Sequence, residues 1–301
     1  MIRAENLTKY YGKTRGVEDI SFSVDDGEIF GLIGPDGAGK TSLFRMLTTL
    51  LKPDKGKATV GELDVVKDYK KIRKKIGYMP GRFSLYQDLS VEENLAFYAR
   101  IFNTTIQGNY HLVKDIYQQI EPFRKRLAGN LSGGMKQKLA LSCALIHSPE
   151  YLFLDEPTTG VDAVSRQEFW DMLKNLQQKG ITIMVSTPYM DEASLCDRVA
   201  LIQKGSIFNI NRPEGIISDF GRDLYALRSR DMFELNKDLK NYKNTHSAFR
   251  FGESIHFTAE NISGEPESLR NYLIEKGHED LKLEKTEAGI EDCFMDQMTA
   301  K

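Results

Sequence analysis

The chain has 301 residues, enough for one large domain or two ordinary ones, and its 41% hydrophobic and 28% charged residues are typical of a water-soluble globular protein. Basic and acidic residues nearly cancel, for a formal net charge of -2, which argues against an extended basic surface for nucleic acid. No stretch reaches the ~18 consecutive apolar residues of a bilayer-spanning helix, and the first residues carry no apolar signal core. A cytoplasmic chain is expected, so any membrane role needs another subunit to cross the bilayer. Cys143, Cys196 and Cys293 lie too far apart for a zinc spacing or a CxxC pair.

In chain order, Ile2 to Leu7 reads as a short strand, and Ile20 to Val24 alternates like a half-buried one. Glu28 to Ile33 is a compact apolar run before Gly34, and helical spacing starts at Thr41. Lys52 to Gly61 is broken by proline and glycine into loops and a hairpin. The basic run Lys67 to Lys75 reads as a solvated helix face. Ser90 with Glu93 forms a capping box, and a mostly helical stretch follows to about His147. Then come a buried strand at 151–154, a helix from Ser165 to Lys179, a strand over Ile181 to Thr187, a short helix after Asp191 and a strand from Val199 to Gln203. Strands alternating with helices predict an α/β domain with a largely parallel sheet. The helical run over about 85–148 interrupts that alternation and reads as an inserted subdomain.

After Pro213 the texture changes. Strands are expected at Leu224–Arg228, Ala248–Phe251, Ser254–Thr258 and Leu281–Lys285, and helices at Met232–Tyr242, Glu267–Lys276 and Ile290–Met298. That β-α-β-β-α-β order with a last helix suggests a ferredoxin-like module. The expected domains are 1–218 and 219–301.

Three motifs carry chemistry. Gly34-Pro35-Asp36-Gly37-Ala38-Gly39-Lys40-Thr41 fits the phosphate-loop pattern GxxxxGK(S/T) and sits between a buried strand and a helix. Glycines let successive backbone N–H groups point at phosphates, and the helix N-terminus, Thr41 and Ser42 included, adds a favourable dipole. Lys40 places a positive charge against the phosphates, and the Thr41 hydroxyl is a candidate Mg2+ ligand. Tyr151 to Asp155-Glu156 is a buried strand that ends in two acids, a Walker B arrangement. Asp155 would hold Mg2+, and Glu156 would polarise the attacking water as general base. Leu131-Ser132-Gly133-Gly134 opens a helix and makes a second anion site, 23 residues before Asp155 when counted from Ser132.

Taken together these residues resemble the ABC ATPases, and the stretch from Asp155 to Trp170 resembles their drug-export branch. The resemblance is dense over about residues 1–210 and returns at Gly289–Phe294. It implies that Tyr11 stacks on adenine and that Gly160-Val161-Asp162 is the D-loop. It implies a head-to-tail dimer with a second ABC ATPase domain, in which Ser132, Gly133 and Gly134 serve the partner's ATP. It also implies an integral membrane permease subunit docked near the loop Arg82 to Gln87, and a chain peripheral to the inner face of the membrane. No nucleic acid is expected. Two positions depart from the family pattern. Gly81 stands where a glutamine is usual, with Gln87 the alternative donor, and Pro188 stands where a histidine is usual. Proline has neither a side-chain donor nor a backbone N–H. The pattern therefore predicts an ATP-powered exporter subunit with an impaired site of its own, favouring a heterodimer over a homodimer. A regulatory nucleotide-binding subunit and a soluble non-transport ABC ATPase remain the alternatives.

Overall fold

A computed structural model describes residues 1–260 and 265–299. The chain divides into two compact units, Met1–Arg212 and Pro213–Lys301.

The first unit opens with β1 (Ile2–Tyr11), β2 (Thr14–Val24) and β3 (Ile29–Ile33), followed by α1 (Lys40–Leu47). Next come β4 (Lys55–Val60), β5 (Leu63–Asp64), α2 (Tyr69–Lys75) and β6 (Ile76–Met79). Three helices follow with no intervening strand: α3 (Val91–Ile101), α4 (Ile106–Tyr117) and α5 (Gly133–Leu145). Then β7 (Tyr151–Asp155), α6 (Ala163–Gln178), β8 (Thr182–Thr187), β9 (Arg198–Gln203) and β10 (Ser206–Asn211) complete the unit. They form two sheets, an antiparallel one of order β2-β1-β4-β5 and a larger one of order β10-β9-β3-β8-β7-β6. The larger sheet is parallel from β9 to β6, with β10 as an antiparallel edge. This is the P-loop α/β core that the sequence predicts.

All five residues of β3 and of β7 are buried, as strands covered on both faces must be. The core fills the space between the two sheets. Phe22 of β2 stacks on Phe30 of β3 at 5.5 Å, and Phe44 of α1 meets Phe153 of β7 edge-on at 6.0 Å. The C-terminal ends of β3, β7 and β8 lie side by side, where parallel α/β sheets present ligand sites. The capping box is present: Ser90 accepts from the Glu93 amide at 3.2 Å, and Glu93 accepts from the Ser90 amide at 2.8 Å. Buried Asn94 on the same helix bonds the main chain of Tyr86 through both its oxygen, at 3.0 Å, and its nitrogen, at 2.9 Å. That fastens the loop after β6 to α3.

The second unit begins six residues before the expected boundary, because α7 (Pro213–Ser218) packs within it, against its last helix. The following elements are β11 (Leu224–Arg228), α8 (Met232–Asn241), β12 (Thr245–Phe251), β13 (Ser254–Ala259), α9 (Glu265–Glu275), β14 (Lys282–Thr286) and α10 (Ile290–Thr299). The sheet is antiparallel, of order β12-β13-β11-β14, so β13 lies between the two strands that α8 joins. That is the split βαβ arrangement of a ferredoxin-like module. Leu227, Ile255 and Phe257 of the sheet pack with Leu235 and Leu239 of α8 and with Leu269 and Leu273 of α9. Two histidines of the sheet tie down α10: His256 to Asp292 at 2.7 Å and His246 to Asp296 at 2.8 Å. The final two residues of the expected second domain lie outside the described residues.

Candidate active site

The loop between β3 and α1 is shaped by close approaches. A Cβ on Gly34 would sit 2.1 Å from the Ile202 carbonyl oxygen, so only glycine fits there. Gly39 has φ 106, and a Cβ there would fall 2.5 Å from the Gly16 carbonyl oxygen. The chain then enters α1 at Lys40, with Thr41 and Ser42 in the first turn. Lys40 is only 3% exposed, and its ammonium donates to the Gly34 carbonyl at 2.8 Å and to the Pro35 carbonyl at 3.1 Å. Its third neighbour is Glu156 Oε1 at 3.1 Å. An ammonium has three protons; here two have main-chain acceptors, and the Glu156 carboxylate is the ion-pair partner.

Asp155 and Glu156 leave the end of β7 in different directions. Asp155 is 2% exposed and accepts from Ser186 Oγ on β8 at 2.5 Å. Glu156 adopts φ 52, in the left-handed region, and its amide donates to the Ser186 carbonyl at 3.0 Å and to Ser186 Oγ at 3.1 Å. Ser186 therefore sets the directions of both acids. Sequence reasoning gave it no role, although it stands beside the substituted histidine position. Tyr11, at the end of β1, is 45% exposed, and its hydroxyl lies 3.1 Å from Ser42 Oγ. Thus Tyr11, the glycine loop from Gly34 through Asp36, Gly37, Ala38 and Gly39, Lys40, Thr41, Ser42, Asp155 and Glu156 form one continuous constellation.

A second cluster gathers the other expected residues. Ser132 caps α5, accepting from the Met135 amide at 3.3 Å. Asp162 caps α6, accepting from the Ser165 amide at 3.0 Å, and that bond holds its carboxyl below the usual range. The two helix starts touch: a Cβ on Gly133 would lie 3.4 Å from the Gly160 carbonyl oxygen, and one on Gly134 would lie 2.7 Å from Ser165 Oγ. Lys138 and Glu168 clamp the same helices at 2.7 Å.

Both departures fall beside the first constellation. Gly81 abuts the Walker B turn, since a Cβ there would lie 3.0 Å from the Asp155 carbonyl oxygen and 3.7 Å from Glu156 Cβ. The main-chain carbonyl of Gln87 accepts from the Gly129 amide at 2.9 Å, at the entry to the LSGG segment. Pro188 follows Thr187, whose carbonyl accepts from the Gly34 amide at 3.3 Å. The proline thus borders the phosphate loop with no hydrogen-bond donor to offer it.

The ABC transporter family model matches residues 17–159. The chain is 35% identical over 295 residues to the Nod factor export ATP-binding protein I of Burkholderia lata, covering 96% of this chain and 94% of that protein. It is 38% identical over 225 residues to the probable multidrug ABC transporter ATP-binding protein YbhF of Escherichia coli, covering 74% of this chain but only 39% of YbhF. This chain therefore spans about two fifths of that relative's length. Among solved structures, cbiO1 from Clostridium perfringens, part of the ABC transporter complex cbiONQ, superposes with a TM-score of 0.65 at 26% identity, covering 72% of this chain and 90% of that one. With its phosphate loop, its paired acids and a relative matched along nearly its whole length, the chain belongs to the ABC transporter family as an ATP-binding subunit of the ABC ATPase type.

Proposed function

We propose that this chain powers a multi-subunit ABC exporter by binding and slowly hydrolysing MgATP, paired with a second ABC ATPase domain and an integral membrane permease. The observation that carries the reading is the 3.1 Å contact of Lys40 with Glu156, which places the phosphate-binding charge and the water-activating acid at one point. An arriving phosphate competes for Lys40, and Glu156 is then free to accept a proton from water. Thr41 and Asp155 offer an alcohol and a carboxylate with no sulfur or imidazole, a donor set that suits a hard cation such as Mg2+. Bound there, Mg2+ supplies charge neutralisation at the phosphates. The export role rests on the full-length likeness to a Nod factor export protein, and a position at the inner membrane face follows from it. No helix among the described residues is long and apolar enough to cross a membrane.

Gly81 and Pro188 remove two side chains from the γ-phosphate side, and loss of one such contact costs on the order of 10²–10³ in rate. A homodimer would carry that depletion twice. With a partner that has both side chains, one composite site is complete, built from the partner's Walker residues and from Ser132, Gly133 and Gly134 of this chain. A heterodimer with one fast and one slow site is therefore favoured. Steady-state phosphate release tests it. Ser132→Arg should nearly stop the assembled complex, whereas Glu156→Gln should slow it far less, and the lone chain should turn over poorly. Brisk hydrolysis by the lone chain, abolished by Glu156→Gln, would leave an ordinary homodimeric motor.

A further inference from the structure

The basic run that enters α2 differs from an ordinary charged helix face. Lys67 to Lys75 holds six basic residues against one acid, in a chain whose net charge is -2. Of the residues of α2 only Ile72 is buried; it anchors the helix and turns the rest outward. Solvated faces intersperse the two signs of charge, whereas here they are separated. The nearby acids are occupied. Asp64 accepts from the Val66 and Lys67 amides, both at 2.9 Å, and Asp68 pairs with Lys71 at 3.0 Å. Lys75 pairs with Glu150 at 2.7 Å. Among the described residues, Lys67, Lys70, Arg73 and Lys74 have no carboxylate in ion-pair contact.

Three exposed apolar side chains stand among these cations. Leu50, Val66 and Tyr69 are 56%, 40% and 38% exposed. Arg73 links two of them: its guanidinium lies 5.2 Å from the centre of the Tyr69 ring, and it donates to the Thr49 hydroxyl at 2.8 Å and the Thr49 carbonyl at 2.9 Å, next to Leu50. The Lys70 ammonium lies 5.9 Å from the centre of the same ring. Lys70 and Lys74 are one helical turn apart and share a row of the helix. The patch is remote from the nucleotide. α2 runs into the start of β6, and Glu150 just precedes β7, whereas the phosphate loop and the paired acids lie at the far ends of the parallel strands. Cations interleaved with tyrosine and aliphatic side chains complement a surface of anionic headgroups over an apolar interior.

We propose that α2 and the turn before it form a docking surface for an anionic membrane, with Lys67, Lys70 and Lys74 on the lipid phosphates and Leu50, Val66 and Tyr69 in the headgroup zone. The separated charge selects anionic over zwitterionic lipid. The apolar side chains select a bilayer over an acidic protein or a free phosphate. Docking needs no nucleotide, so it goes beyond the ATPase reading and stands apart from it.

Co-sedimentation of the full-length, nucleotide-free chain with lipid vesicles tests it. The chain should bind vesicles of equal parts phosphatidylglycerol and phosphatidylcholine and ignore phosphatidylcholine alone. Binding should weaken steeply as salt shortens the Debye length from about 10 Å at 0.1 M to about 3 Å at 1 M. Lys67→Gln, Lys70→Gln and Lys74→Gln together remove three cations, each worth roughly fivefold, and should weaken binding about a hundredfold. The same three lysines changed to Arg should leave binding as in the wild type. Tyr69→Ser should weaken binding at every salt concentration, because what it removes is apolar. ATP affinity, read by calorimetry, should be unchanged in every variant. If the Gln variant fails to fold, Tyr69→Ser and the wild-type lipid and salt series decide the matter. No binding to anionic vesicles, equal binding to neutral ones, or full binding by a folded Gln variant overturns the proposal. So does release by glycerol phosphate at matched ionic strength, which marks a single-anion site. Undiminished binding by Tyr69→Ser, with displacement by polyglutamate, also overturns it and marks a surface for an acidic protein.

Discussion

Two protons of Lys40 go to the Gly34 and Pro35 carbonyls, and its ion-pair partner is Glu156. ATP therefore competes with Glu156 at Lys40, and the gain comes from pairing the ammonium with phosphate charge. Lys40→Ala should abolish high-affinity ATP binding in calorimetry; an unchanged affinity would mean the phosphates lie elsewhere. A second residue-scale expectation concerns His147, whose ring stacks on Phe102 at 3.7 Å while Nε2 bonds the Ile76 carbonyl at 2.9 Å. Burial lowers its folded pKa from the ordinary 6.5, so the unfolded chain takes up the proton first as pH falls. The stability that this neutral ring contributes is complete above pH 6.5 and is lost as pH drops below it. His147→Phe keeps the stack and cannot titrate. The stability advantage of wild type over His147→Phe, read from urea midpoints, should therefore narrow between about pH 7.5 and 5.5. A constant difference would place the titration elsewhere.

At the scale of elements, the contact of α5 with α6 depends on the absence of a side chain. Gly134→Ala would put a Cβ 2.7 Å from Ser165 Oγ and 3.0 Å from Ser165 Cβ, in a place where both helices are already clamped by Lys138 and Glu168. Such overpacking costs roughly 1–3 kcal/mol. Gly134→Ala should lower the urea midpoint, and Ser165→Gly in the same chain should recover part of the loss. If the single variant is as stable as wild type, the two helix starts separate freely. Elements of this kind were legible when a local rule fixed them. The Ser90–Glu93 box announced α3, and the glycine–lysine loop marked the junction of β3 with α1. Alternating strands with intervening helices gave β11 through α10 in the right order. What stayed hidden lacked a local signal. β6 has four residues and grows straight out of the basic helix α2, and every residue of β10 is half-exposed at a sheet edge. Ser186 reads as one polar residue at a strand end. Its position relative to Asp155 and Glu156 comes only from pairing β7 with β8.

Across the whole molecule, the phosphate loop, the paired acids and the LSGG segment all lie within Met1–Arg212, and the second unit has its own core. Truncation after Arg212 should leave ATP affinity intact while altering dimer formation or coupling, measured by calorimetry and by sedimentation. A truncated chain that folds but fails to bind ATP would refute that division. The strand order of the second unit also dictates how it is born. β11 and β12 are made first, yet they have no pairing with each other, because the place between them belongs to β13. On the ribosome, α8 would emerge joining two strands that cannot yet zip together, and the sheet closes only once the β12–β13 hairpin is out and docks on β11. This unit should thus appear late and all at once, and a chain stalled near Gly252 would display unpaired strand edges to whatever chaperone or protease is at hand.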